Sequence, residues 1–382
     1  MRVLHLFSNA KWTGPAEPAL NLCVALRARG VDAAFACSPD AGANINKVVE
    51  TARDRGIEPI LDLWLTKHNH PFKNLLDRRA LSRLLRDNRC DLVHCHLDND
   101  HRIAAGPARA AGIPLVRSSY YGLGFPNDRR HARLAARTTC LVEPSQAALE
   151  NDAETFGFPR ERMRVVPGAV DVARFDPARE TPDGRRRLNL GPDGFVLGIV
   201  ARLQTHRHYE DLFEAMYLLV HELPHARLVV VGRGSRQEQV GFEPVQRLNL
   251  EHCVHFTGFL DGEDYVGMLR AFDAGVFLTP GSDGTCRAVR EMMAMGKPVV
   301  AVRRGMLREI VTHERDGLVV DGSVQALHEA FVRLGQHRDL RHALGRAARD
   351  TAVTRYSLEA QSAAIADCYA AVLDRSGLAT AT

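Results

Sequence analysis

No stretch of this chain approaches the roughly eighteen consecutive apolar residues of a membrane-spanning helix. Met1–Phe7 (MRVLHLF) lacks the longer apolar core and small-residue cleavage site of a secretory signal, so a soluble, cytoplasmic protein is expected. The eight cysteines form no C-x-x-C pair, which removes the usual zinc and dithiol signatures. They lie in apolar runs such as FACS and TTCLVEP, where a reduced, buried thiol is expected. No G-x-G-x-x-G follows the first strand-like run, which counts against a dinucleotide enzyme. A net charge of +4 is too small to argue for a nucleic-acid partner.

What is present is ordinary for a globular protein. Hydrophobic residues make up 45% and charged residues 25%, which excludes disorder, and 382 residues suit two domains. Short apolar runs alternate with amphipathic stretches. Strands are predicted at Val3–Phe7, Asp32–Ala36, Glu58–Leu61, Leu92–His94, Leu115–Ser118 and Thr139–Val142. A second series follows at Phe195–Val200, Leu228–Val231, His255–Phe256, Gly275–Leu278 and Pro298–Val302. Such alternation predicts parallel sheets covered by helices on both faces. Between the series, Phe175–Gly194 is polar, rich in proline and glycine, and carries no strand signal. The expected architecture is α/β, two doubly wound domains with a cleft between the carboxyl ends of their strands. Their bounds are 1–175 and 176–357, and a last helix, 358–382, packs back on the first domain.

Four features can carry chemistry. Ser8–Pro15 closes the first strand and opens a helix, a place where free N–H groups suit phosphate. Arg202 and Arg207 follow a strand and can hold an anion. The run LTPGSDGTCRAVREMMAMGKPVVAV is a strand, a small-residue loop, a helix and a second strand, with Asp283 in the loop and Glu291 on the helix. Two such carboxylates suit vicinal hydroxyls, whereas capping by Asp283 and a solvated Glu291 is the plain structural alternative. Finally, Cys90–His96 and Asp98–His101 are dense in His, Cys and Asp. Strand alternation puts His94 and His96 on one face and Cys95 on the other, a poor chelate, so Asp98-Asn99-Asp100 reads as a strand-to-helix loop. A basic segment, Arg102–Arg137, contains one acid, Asp128.

The run DGTCRAVREMMAMGKPVVAV, preceded by LTPGS, resembles the nucleotide-sugar signature of retaining GT-B glycosyltransferases of family 4 (glycosyl transferases group 1). VVPGAVDVARFDP, IVARLQTHRHYEDLFEA, LVVVGRGSRQEQV and VHFTGFLDGEDYVGMLRAFDAGVFLTP are similar to that family's successive motifs. The resemblance implies two Rossmann-like domains facing each other across a cleft. It implies that Glu291 holds the ribose and Asp283 the donor sugar, while Arg202 and Arg207 grip the diphosphate. Gly284, Thr285, Cys286 and Arg287 would supply N–H groups to sugar and phosphate. Gly258, Phe259 and Leu260 would meet the base through the main chain, and Gly14 matches the glycine-rich first loop. On the acceptor or sugar side stand His96, Arg117 and Tyr120.

The sequence departs from the family at three places. Asp283 replaces the usual Glu, Arg207 the usual Lys, and Tyr120 stands where many members carry a histidine. The implied activity is metal-independent, retaining transfer of a hexose from a nucleotide diphosphate sugar, UDP favoured, to a glycan, lipid-linked or small-molecule hydroxyl. No cofactor is implied. Peripheral contact with an anionic membrane, at its inner face, is expected from the Arg102–Arg137 segment. The alternative is a non-catalytic nucleotide-sugar-binding protein of the same fold.

Overall fold

The computed structural model describes residues 1–375 apart from 40–41, 43–44, 88, 192–193 and 281–285. The chain divides into two compact units, Met1–Gly168 with Leu358–Thr382, and Ala169–Ser357. The division thus falls after Gly168 rather than at 175.

The first unit holds six parallel strands: β1 (Arg2–Phe7), β2 (Asp32–Cys37), β3 (Leu92–Cys95), β4 (Leu115–Ser118), β5 (Cys140–Glu143) and β6 (Met163–Val165), in the order β2-β1-β3-β4-β5-β6. Strands β3, β4 and β5 are buried at every position, as continuous apolar runs covered on both faces must be. One face packs against helices Ala16–Ala28 and Leu358–Arg375, the latter supplying Ile365, Cys368, Tyr369 and Val372 to the core. The other face packs against helices Pro71–Asp87 and Asp98–Ala110.

The second unit repeats the design with β7 (Val196–Val200), β8 (Arg227–Val231), β9 (Val254–Gly258), β10 (Ala274–Phe277), β11 (Val299–Val302) and β12 (Gly317–Val320), in the order β12-β11-β10-β7-β8-β9. At Gly198 in β7, an added Cβ would stand 2.1 Å from the Phe272 ring, so only glycine lets that ring lie against the strand.

The strand predicted at Glu58–Leu61 is only an isolated bridge, Ala36 to Ile60. Pro59 has no N–H to continue a ladder there. Strands β6 and β12 were not expected from the sequence; the first is a three-residue edge strand and the second a four-residue run.

In parallel sheets, ligands bind beyond the carboxyl ends of the strands, where the order reverses. In the first sheet that point lies between β1 and β3. In the second it lies between β7 and β10.

Candidate functional site

The segments leaving β7 and β10 flank the reversal in the second sheet and carry most of the expected donor residues. Arg207 closes a short turn, Thr205–Arg207, and is buried. Its Nη1 donates to the Thr279 carbonyl at 2.8 Å, which ties the β7 loop to the β10 loop. Arg304, leaving β11, donates from Nη1 to Thr279 Oγ1 at 3.4 Å. Arg202 is exposed at the end of β7. Three guanidinium groups therefore share the carboxyl edge of adjacent strands β7, β10 and β11, a set suited to a diphosphate. Arg304 was missed; its signal was the Arg303-Arg304 pair directly after the apolar run of β11.

Glu291 lies on helix Arg287–Ala294 and is 4% exposed. Its Oε2 accepts from Tyr265 Oη at 2.5 Å, and its Oε1 lies 3.1 Å from Arg287 Nε. Burial, then the Glu291 charge, push the Tyr265 phenol well above its ordinary range, so it remains a donor. A solvated Glu291 is thereby excluded. Sequence reasoning did not find this partner of Glu291, since Tyr265 lies on the preceding helix, Gly262–Ala271. Cys286 is the N-cap of the Glu291 helix, with a left-handed φ of 49° and a buried side chain. Asp283, Gly284 and Thr285 lie outside the described residues.

Gly258 ends β9 at φ +72°, and its carbonyl accepts from Gly232 N at 2.8 Å. Phe259 is 62% exposed, with the Arg233 guanidinium 5.5 Å from its ring centre. Leu260 is half-buried.

The remaining expected residues belong to the first unit. Gly14 is exposed in the turn between β1 and helix Ala16–Ala28. His96, fully buried, lies between His5 Nδ1 at 3.0 Å from its Nε2 and Tyr120 Oη at 2.9 Å from its Nδ1. Tyr120 is partly buried just past β4. Arg117 is 2% exposed and engaged by Asp98 Oδ1 at 3.0 Å, beneath the Phe125 ring. It braces the loops after β3 and β4 from inside.

Asp98 also faces Arg130, His131 and Tyr121 Oη, each at 3.3 Å. Burial opposes its charge most, yet the His131 hydrogen bond and the Arg117, His131 and Arg130 charges together hold it well below the carboxylate range. Asp100 is buried and accepts from Ser8 N and Leu97 N. Burial raises it to about 7. Asp98, Asn99 and Asp100 are not a loop as expected but the first turn of helix Asp98–Ala110, where Asp100 accepts from the backbone of the N-cap residue Leu97.

His131 presents Nε2 to Asp98 at 3.3 Å and Nδ1 to Asp128 at 3.0 Å. Burial disfavours its charge, but the Asp98 and Asp128 contacts outweigh that and raise its pKa. A raised pKa adds stability that is complete below the unfolded value of about 6.5 and is lost as pH rises through the folded value. Thermal unfolding should therefore show wild type losing more stability than His131→Gln as pH rises above about 6.5. Parallel profiles would mean that folding does not raise the His131 pKa.

The family profile described as Glycosyl transferases group 1 matches residues 180–351, and that described as Glycosyltransferase Family 4 matches residues 13–174. A GDP-mannose-dependent monoacylated alpha-(1-6)-phosphatidylinositol monomannoside mannosyltransferase of Corynebacterium glutamicum is 29% identical over 301 residues, covering 73% of this chain and 76% of that protein. A D-inositol 3-phosphate glycosyltransferase of Corynebacterium jeikeium is 33% identical over 256 residues, covering 64% of this chain and 60% of its own length. Among solved structures, Anabaena HepE in complex with UDP superposes with a TM-score of 0.78 at 21% identity, over 96% of this chain and 99% of that one. Two consecutive family matches, over two units of parallel six-stranded sheet, make this chain a glycosyltransferase of group 1, family 4, with the GT-B fold.

Proposed function

We propose that this enzyme transfers a hexose from a nucleotide diphosphate sugar, with UDP as the nucleotide, to a hydroxyl of a glycan, lipid-linked or small-molecule acceptor, retaining the anomeric configuration and using no metal. The observation that carries the reading is the guanidinium set at the reversal of the second sheet, with Arg207 fixed on Thr279. Cations at that edge stabilise the negative charge that builds on a departing diphosphate. The sugar then passes through an oxocarbenium-like state, and the departing phosphate takes the acceptor proton. Glu291 would exchange its Arg287 contact for ribose hydroxyls while keeping Tyr265. The Asp98 and Asp100 carboxylates are engaged by protein donors, which favours charge stabilisation by arginine over a metal held there. UDP is favoured by the HepE complex, and by an Escherichia coli relative named as a UDP-Gal-dependent galactosyltransferase.

The test is thermal stabilisation across UDP, GDP, ADP and CMP and their sugar conjugates, then product anomer by NMR with and without EDTA. A UDP-selective shift, an α-product from an α-donor and indifference to EDTA support the reading. A GDP-selective shift, an inverted product or EDTA-sensitivity would each overturn the corresponding part.

The acceptor reading includes a membrane surface, for which a second face stands beside the expected Arg102–Arg137 segment. Of the Arg102–Arg137 segment, Arg117 is buried and Arg130 pairs with Asp98, while Arg109, Arg129, Arg133 and Arg137 are exposed. Helix Pro71–Asp87 buries Asn74, Asp77, Leu81 and Leu85 and turns Phe72, Leu75, Leu76, Arg79 and Arg83 outward. Phe72 is 67% exposed, and Trp64 nearby is 41% exposed under Lys73 Nζ. Apolar side chains beside cations suit an anionic lipid surface. No helix among the described residues is long and apolar enough to cross a membrane. Burying two such side chains contributes about 1.5–3 kcal/mol each, so Phe72→Ser with Leu75→Ser should weaken co-sedimentation with phosphatidylglycerol vesicles more than tenfold. Equal wild-type binding to neutral and anionic vesicles would refute this placement.

A further inference from the structure

At the reversal of the first sheet, His5 of β1 and His94 and His96 at β3 are fully buried. One nitrogen of each lies within 4.8 Å of the others. A metal ion is poorly served there. The His5–His96 and His94–His96 rings are nearly parallel, at 19° and 18°, so their in-plane lone pairs do not converge as a tetrahedral site requires. Every ring nitrogen is instead taken by a neighbour. Ser118 Oγ meets His94 Nε2 at 2.8 Å, and His94 Nδ1 meets Tyr369 Oη at 2.5 Å. Tyr369 Oη lies 3.5 Å from His5 Nε2, His5 Nδ1 lies 3.0 Å from His96 Nε2, and His96 Nδ1 ends on Tyr120 Oη at 2.9 Å.

This is a single unbranched chain from Ser118 to Tyr120. Tyr369 enters it from the C-terminal helix. Burial drives the imidazoles toward the neutral form, with His5 lowered to about 3 and His94 and His96 lowered well below their ordinary value. A neutral imidazole has one donor and one acceptor, and a hydroxyl has one donor. The chain therefore has only two polarities in which the buried Tyr369 hydroxyl keeps a partner for its proton. In one, Tyr120 donates inward and all three histidines carry the proton on Nε2. In the other, Ser118 donates inward, all three carry it on Nδ1, and the Tyr120 proton is turned outward. The chain cannot store a proton; it can only set a direction.

We propose that Tyr120 meets the substrate as the outer end of this chain, donating to an anionic or hydroxyl oxygen in the all-Nδ1 polarity, and that buried Tyr369 is the positioning residue that makes this polarity available. Tyr120 is the partly buried end and, among the described residues, has His96 as its one partner. It lies at the carboxyl end of β4, the edge where a parallel sheet receives ligands. The proposal rests on the transferase reading above for the identity of that oxygen, but the chain itself does not.

Two measurements on the full chain separate these levels. With 15N-histidine labelling, the three buried rings, assigned by single substitutions, should share one tautomer. Tyr369→Phe, which keeps the ring volume, should break that agreement. Mixed tautomers in wild type would overturn the proposal whatever the donor. In transfer assays with UDP-glucose, Tyr369→Phe should lower kcat about tenfold, the low end of what remote partners of active groups cost, with KM within about twofold. Tyr120→Phe combined with Tyr369→Phe should be no worse than Tyr120→Phe alone, because the second residue acts through the first. Additive losses would make Tyr369 a packing residue and overturn the proposal. Absence of turnover with any nucleotide sugar would defeat the transferase reading while leaving the tautomer result standing.

Discussion

Glu291→Ala should abolish the thermal stabilisation that the donor nucleotide confers, and with it transfer activity. The carboxylate is 4% exposed, and both oxygens are engaged, by Tyr265 Oη and by Arg287 Nε. A hydrogen bond to a charged group contributes about 1.5–3 kcal/mol. Losing two such bonds to ribose hydroxyls would cost the nucleotide at least a hundredfold in affinity. The substitution also strands the Tyr265 hydroxyl, which costs about 1–3 kcal/mol of folding stability. Glu291→Gln separates the two effects. It keeps an oxygen for Tyr265, so most stability should return, while the uncharged amide holds the ribose poorly. An undiminished nucleotide shift in Glu291→Ala would move the donor site away from this helix.

Arg207→Ala should lower kcat by about two to three orders of magnitude, the usual cost of removing one preorganised donor to a developing anion. Arg207 is suited to this because its side chain is buried, with one Nη held by the Thr279 carbonyl. Little reorganisation is then needed when charge builds on the leaving group. Arg207→Lys, the residue usual in the family at this place, keeps the charge but not the planar fork. It should recover most of the rate. Arg202 is exposed, so Arg202→Ala should affect turnover with little change in melting temperature. If Arg207→Ala lowers the melting temperature but leaves kcat intact, Arg207 is only a brace between two loops.

The α/β alternation was legible because each central strand is short, apolar and buried on both faces, as in β3, β4, β10 and β11. Edge positions were not. In β6, Arg164 and Val165 are only half-buried, so that run did not stand out from loop composition, while β12 is a four-residue apolar run, Gly317–Val320, at the sheet edge beside β11. Glu58–Leu61 looked apolar enough for a strand, but Pro59 removed the donor that a ladder needs. The Arg287–Glu291 pairing was legible for a different reason. A strand, a loop and a helix place Arg287 and Glu291 within one helical turn, so their contact is local and readable from spacing.

Side chains brought together from distant parts of the chain were beyond such reading. Arg117 had the composition of a surface cation, yet the sheet turns it inward onto Asp98. Tyr265 reaches Glu291 across two helices, and Arg304 reaches Thr279 across two strands. His94 meets Tyr369, 275 residues later in sequence, only because the last helix returns to the first sheet. Local patterns of apolar spacing and motif determined the fold class, the two units and the helix that carries Arg287 and Glu291, since these depend on neighbours in sequence. The tertiary structure alone decided which polar groups are buried and paired, because burial and pairing depend on how helices and strands far apart in sequence pack.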